Sequence, residues 1–153
     1  MPLQVKSSAF SHGERIPEKY TADGPDVSPP ISWEGVPEGT ASIAVICDDP
    51  DAPRGTWVHW LIWNIPAESQ GLPEGVPPDR ELPDGSRQGT NDFGRIGYGG
   101  PAPPPGTPHR YYFRVYALDT RLDVPAGARR DALESAMRGH VLAQGELMGT
   151  YGR

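Results

Sequence analysis

Two histidines carry most of the chemical interest in this sequence. His59 lies near the start of "TWVHWLIWNI" and His109 opens "HRYYFRVYALD", and each apolar run follows a loop dense in proline and glycine. An imidazole titrates near neutral pH, so two that share a cleft can bind phosphate when protonated, or exchange protons with it when one is neutral. Taken singly, each is better explained by one buried hydrogen bond. Asp49 and Asp51, stiffened by Pro50 and Pro53, supply carboxylates that could fix an imidazole's tautomer and favour its charged form. The plain alternative for these acids is an Asx turn. Before His109 stands "YGGPAPPP", Tyr98 to Pro105. Adjacent glycines can turn consecutive amides toward an anion while prolines restrict the chain, although such a run also serves simply as a turn.

Other chemistries find less support. Two histidines and a carboxylate could hold iron or zinc, but no compact spacing such as His-Glu-x-x-His is present, so neither metal nor cofactor is expected. There is no Gly-x-Ser-x-Gly and no Gly-x-Gly-x-x-Gly. Cys47, the only cysteine, ends the apolar run from Ile43 to Ile46 and reads as a buried core residue; an intrachain disulfide is excluded. His12 falls in a polar loop. Trp33, Trp57, Trp60 and Trp63 suit a core better than an aromatic binding surface.

The elements that must position these residues are mostly strands. "ASIAVIC" has the length and flanking turns of a buried strand. In "TWVHWLIWNI", strict alternation would put Trp57, His59, Leu61, Trp63 and Ile65 on one face and Val58, Trp60, Ile62 and Asn64 on the other. Both faces are largely apolar, which suits a strand inside a layered structure. In "HRYYFRVYALD", His109, Tyr111, Phe113, Val115 and Ala117 alternate with Arg110, Tyr112, Arg114 and Tyr116, so one face is apolar and one partly wet. Residues 66–92 are rich in turn formers and read as a long surface excursion. A helix is expected near the C-terminus, where Leu133, Ala136, Met137, His140 and Val141 form a stripe, Glu134 can pair with Arg138, and Gly145 ends or interrupts the helix.

At 153 residues the chain fits one domain, 1–153, with 19 glycines and 19 prolines scattered among apolar segments as turn formers. A net charge of −6 argues against nucleic acid and against general attraction to anionic membrane, so any phosphate must be captured locally. The N-terminal segment lacks the form of a secretory signal and no stretch suits a membrane helix, from which a cytoplasmic location and no integral membrane association are expected.

Together, "DPDAP" at 49–53, "VHW" at 58–60, "YGGPAPP" at 98–104 and "HRYYFRVYALD" at 109–119 resemble the phosphatidylethanolamine-binding protein family, most closely its short bacterial Raf kinase inhibitor-like branch. "IPEKYTADGPDVSPPISW" and "GHVLAQGELMGTYGR" extend the likeness over nearly the whole chain. The resemblance implies a mostly β, sandwich-like fold: a large antiparallel central sheet, a smaller sheet and C-terminal helical structure. It implies a pocket for phosphate or a phosphate-bearing small molecule at Asp49, Pro53, His59, Gly99, Gly100, Pro101, His109 and Tyr111, with Asp51 and Trp57 in support. A kinase or protease partner and a homodimer are further implications. Ala102 stands where bacterial members commonly have cysteine, and the loop from Pro53 to Trp57 is shorter than in animal relatives. The residues themselves leave a binding protein and an acid–base enzyme working on a phosphoryl or carbonyl substrate both open. They also leave open the isomer of Ala52-Pro53.

Overall fold

The computed structural model describes residues 2–153. Strands β1 (Gln4–Lys6), β2 (Ile31–Glu34) and β5 (Gly71–Leu72) form a small antiparallel sheet in the order β1-β2-β5. Strands β3 (Ser42–Asp49), β4 (Trp57–Pro66), β6 (Arg87–Gln88), β7 (His109–Leu118) and β8 (Val141–Tyr151) form a five-stranded antiparallel sheet, ordered β6-β4-β3-β7-β8. Among the described residues one helix, α1 (Arg130–Met137), and a single 3-10 turn at Glu18–Tyr20 complete the regular structure. Among the described residues no peptide bond is cis, so Ala52-Pro53 is trans, and no helix is long and apolar enough to cross a membrane.

The large sheet is covered on both faces, as the two apolar faces of β4 require. Toward the small sheet, Ile43, Val45 and Cys47 of β3 pack with Trp60, Ile62, Phe113 and Val115. Toward the helix, Ala44, Ile46, Leu61 and Trp63 meet Leu122, Val124, Leu133 and Met137. Burial of that many large side chains on both faces makes the sheet the rigid centre of the molecule.

Strict alternation fails in β4 because two residues there are extra to the ladder. Asp48 pairs with Val58 but Cys47 with Trp60, which leaves His59 as a bulge residue; Val45 pairs with Ile62 but Ile43 with Ile65, which places a second irregularity at Trp63-Asn64. Leu61 and Trp63 therefore face the helix, opposite Ile65 rather than beside it. Asn64 takes a left-handed conformation (φ 57°) and secures Leu122 by accepting from its N–H at 2.7 Å and donating to its carbonyl at 2.9 Å. Bulges of this kind re-aim side chains next to functional sites.

The C-terminal region departs further from expectation. The helix stops at Met137, with Arg138 extended and Gly139 at positive φ, and the eleven residues from Val141 to Tyr151 are β8. His140 lies outside the helix and approaches Asp119 at 2.7 Å, while Val141 is exposed. Glu134 pairs with Arg130, not Arg138, and Arg130 reaches back to the buried carboxylate of Asp48 at 2.8 Å. Gly145 and Gly149 are glycines because the N-terminal segment crosses here: an added Cβ on Gly149 would lie 2.5 Å from Ile16 and 2.7 Å from Phe10, and one on Gly145 would strike the Leu3 carbonyl. Long-range pairing with β7 thus overrides the helix-favouring composition of this segment. The excursion over 66–92 also does more than wrap the surface, giving β5 to one sheet and β6 to the other.

Candidate functional site

Antiparallel order brings the end of β3, the start of β4 and the start of β7 to the same end of the central sheet. Asp49, His59, His109 and Tyr111 meet there although up to 62 residues separate them in sequence. Between them lies a cavity of about 200 Å³. Its polar lining is Asp49, His59, His109 and Tyr111; its apolar lining comes from the 52–57 loop (Ala52, Pro53, Trp57), the 102–104 segment (Ala102, Pro103, Pro104) and Phe93.

Each histidine is locked through Nδ1. The ring of His59 lies 2.6 Å from the Gly99 carbonyl, and the Gly99 amide donates back to the His59 carbonyl at 2.9 Å. A carbonyl can only accept, so the His59 proton sits on Nδ1 and its Nε2 carries a lone pair. His109 Nδ1 approaches Asp49 Oδ2 at 2.7 Å, and the other Asp49 oxygen accepts from the Asp51 amide at 2.8 Å. Asp49 therefore orients His109 and caps its own loop at once. Neither Nε2 has a partner among the described residues, and both histidines line the cavity.

Tyr111 sits between the two rings, edge-on to His59 at 5.2 Å and stacked on His109 at 6.5 Å between centroids. Burial and the Asp49 charge push its phenol well above the ordinary range, so it stays protonated. Burial lowers the pKa of His59; the Gly99 carbonyl and the charges of Asp49, Asp26 and Asp48 oppose this without reversing it. His59 is thus neutral at pH 7, a proton donor at Nδ1 and an acceptor at Nε2.

The sequence candidates separate into two groups. Asp49, Pro53, Trp57, His59, His109 and Tyr111 line the cavity, whereas Gly99, Gly100 and Pro101 stand behind it. Their polar groups are already engaged: the Gly99 amide by His59, the Gly100 amide by Asp26 Oδ1 at 2.8 Å, and the Pro101 carbonyl by the Ala22 amide at 3.0 Å. No pair of free amides faces an anion here. These glycines are required by close approach instead, since a Cβ on Gly100 would lie 2.5 Å from Asp26 Oδ1 and 2.9 Å from Thr21 Cα.

Asp51 lies outside the cavity, in a bidentate pair with Arg110 at 2.9 Å that also takes up the Arg110 amide, and this arginine holds its carboxyl down at about 2. Trp57 packs against Phe93 with ring centroids 5.4 Å apart, and its Nε1 is the one buried side-chain donor without a partner among the described residues. Sequence reasoning missed Phe93, whose signal was a lone aromatic inside the turn "NDFG", and Asp26, whose positive φ of 59° places its carboxylate under Gly100. It also missed Arg153, which ties the proline wall to the body by donating to the Pro103 carbonyl and pairing with Asp23. Cys47 is fully buried, and burial raises its thiol well above the reactive range. His12 and His140 are remote, engaged with the Met148 amide and Asp119. Among the described residues no three histidine, cysteine or acidic side chains are placed to hold a metal ion.

Fold and site together define a two-sheet antiparallel β protein with a small two-histidine cavity at one end of its central sheet. The profile of the family described as Phosphatidylethanolamine-binding protein matches residues 6–152, and the chain belongs to that family. It is 54% identical to a UPF0098 protein of Methanothermobacter thermautotrophicus over 99% of both chains, and 50% identical to one from Aquifex aeolicus over 99% of this chain and 89% of the relative. Among solved structures it is similar to Escherichia coli YbcL, described as a member of the mammalian family (TM-score 0.92, 36% identity, covering 100% and 99% of the two chains). It is also similar to a homologue from Chlamydia trachomatis (TM-score 0.90, 41% identity, covering 99% and 98%).

Proposed function

We propose that the chain binds a small phosphate-bearing anion in the cavity between His59 and His109. The observation that carries this reading is the pair of free Nε2 atoms, each fixed in direction by an Nδ1 contact on the far side of its ring. A protonated His109 donates to an anionic oxygen, with Asp49 as its counter-charge, and Tyr111 adds a neutral donor between the rings. Pro53, Trp57, Ala102 and Pro103 enclose the remainder in apolar surface, which strengthens those few polar contacts by excluding water. Asp51, Gly99, Gly100 and Pro101 hold the loops that carry the contacts.

An acid–base enzyme is the second reading, favoured by the Asp49–His109 pair, which is the arrangement a general base needs. Among the described residues no serine, threonine or cysteine lines the cavity, so a hydroxyl or thiol nucleophile of the usual kind is not at hand. Calorimetric titration of phosphate and phosphoethanolamine into wild type and into the His59→Ala, His109→Ala double variant tests the binding reading. Saturable binding to wild type that disappears in a folded double variant is expected. No binding to wild type, or undiminished binding to the double variant, contradicts it.

A further inference from the structure

The two histidines that face the cavity are backed by partners of different charge. His59 is paired through Nδ1 with a neutral carbonyl, is only 2% exposed, and meets Tyr111 and Phe93 edge-on. No charged side chain is within hydrogen-bonding reach of its ring, and Asp49, Asp26 and Asp48 act on it only from a distance, too weakly to offset burial, so Nε2 presents a lone pair. His109 is paired through Nδ1 with the Asp49 carboxylate, which supplies the counter-charge an imidazolium requires. Of the two rings, only His109 has a carboxylate in contact, so only its Nε2 can become a donor to a bound anion without leaving a charge unpaired.

An anion whose oxygens are all unprotonated would set one of them against the His59 lone pair, burying two acceptors face to face. Resting on the binding function proposed above, we infer that the cavity selects an oxyanion that still carries a proton: its P–OH donates to His59 Nε2 while a charged oxygen accepts from His109 Nε2–H. Inorganic phosphate keeps a P–OH in both its mono- and dianion. Neither sulfate nor a phosphodiester, the form in which phosphate sits in a lipid headgroup, has one near neutral pH. The cavity, about 200 Å³, is a site for free phosphate in preference to a lipid's diester.

The test uses the unmodified protein at pH 7.5. Inorganic phosphate, arsenate, sulfate and dimethyl phosphate are titrated separately by calorimetry at equal ionic strength. Phosphate and arsenate should bind saturably, with sulfate and dimethyl phosphate weaker by at least about tenfold, because a buried acceptor left unpaired is a strong basis for rejection. Sulfate or dimethyl phosphate binding within about threefold of phosphate would overturn the selectivity and leave anion binding intact. If none of the four binds, the binding function itself fails and the selectivity falls with it.

Discussion

Replacing Gly100 by alanine separates two roles that the Gly99-Gly100 pair could play. If the pair were an anion cradle, a methyl group there would alter binding and spare stability; if it is a packing contact, stability suffers first. A Cβ on Gly100 would lie 2.5 Å from Asp26 Oδ1 and 2.9 Å from Thr21 Cα, with the Tyr20 carbonyl closer still, whereas real Cβ contacts essentially never fall below 3.0 Å. Much of this wall is backbone, and the Tyr20 carbonyl is the nearest part of it, so the 99–101 segment must retreat by at least about 0.7 Å. That strains the bond from the Gly100 amide to Asp26 and lengthens the 2.6 Å contact between Gly99 and His59. Overpacking of this kind costs about 1–3 kcal/mol and a weakened buried hydrogen bond about 1 kcal/mol more, giving roughly 2–4 kcal/mol in total. Gly99→Ala is the internal control. Its Cβ would meet the Phe93 ring at 2.6 Å, and that ring is 37% exposed and free to swing outward, so the cost should stay below about 1.5 kcal/mol. Urea denaturation of the three proteins, followed by phosphate titration at matched folded fraction, reads both quantities. Gly100→Ala within about 0.5 kcal/mol of wild type, or a larger loss for Gly99→Ala than for Gly100→Ala, would refute the packing argument.

Other consequences follow from the same contacts. Asn64→Ala should destabilise by about 3–4 kcal/mol, because it leaves the Leu122 amide and carbonyl unpaired in the core and forces alanine into left-handed backbone; Asn64→Gly should cost about 1 kcal/mol less, and equal denaturation midpoints for the two would contradict this. The Asp51 carboxyl is held at about 2 in the fold against an ordinary 3.8, so its contribution is present above about pH 4 and lost as pH falls through about 2. Because the Arg110 side of this pair is half exposed, Asp51→Asn should cost no more than about 1 kcal/mol at pH 7 and flatten the acid limb of a stability–pH curve; an unchanged acid limb would show the pair to be energetically silent.

How far the sequence reveals the molecule depends on where each element finds its partners. Strand β7 was legible from His109 to Leu118 because its alternation is unbroken and its two faces differ in polarity. In β4 the apolar run announced a doubly buried strand, but its bulges at His59 and near Asn64 are set by register against β3, which no local period records. The segment from Val141 to Tyr151 misled because leucine, alanine, glutamine and glutamate favour helix locally, while the glycines that permit a strand answer to Leu3, Phe10 and Ile16 on the opposite side of the sequence. At the site, the types of His59, His109 and Asp49 and their neighbouring prolines suggested an oriented pair, whereas Tyr111 was indicated only by the family resemblance. The role of Gly99 and Gly100 was not legible, because it rests on Asp26, 74 residues from Gly100, and on a carbonyl of β4.

The central claim, that phosphate is held between the Nε2 atoms of His59 and His109, is tested most directly by nitrogen-15 NMR of the imidazole rings during a phosphate titration. The chain has four histidines, and His12 and His140, engaged outside the cavity, serve as internal references. The account predicts saturable shifts at Nε2 of both His59 and His109 with one shared dissociation constant, His59 remaining protonated at Nδ1 throughout, and no comparable change at His12 or His140. Shifts confined to the two outer histidines, or no saturable change at any ring, would contradict it.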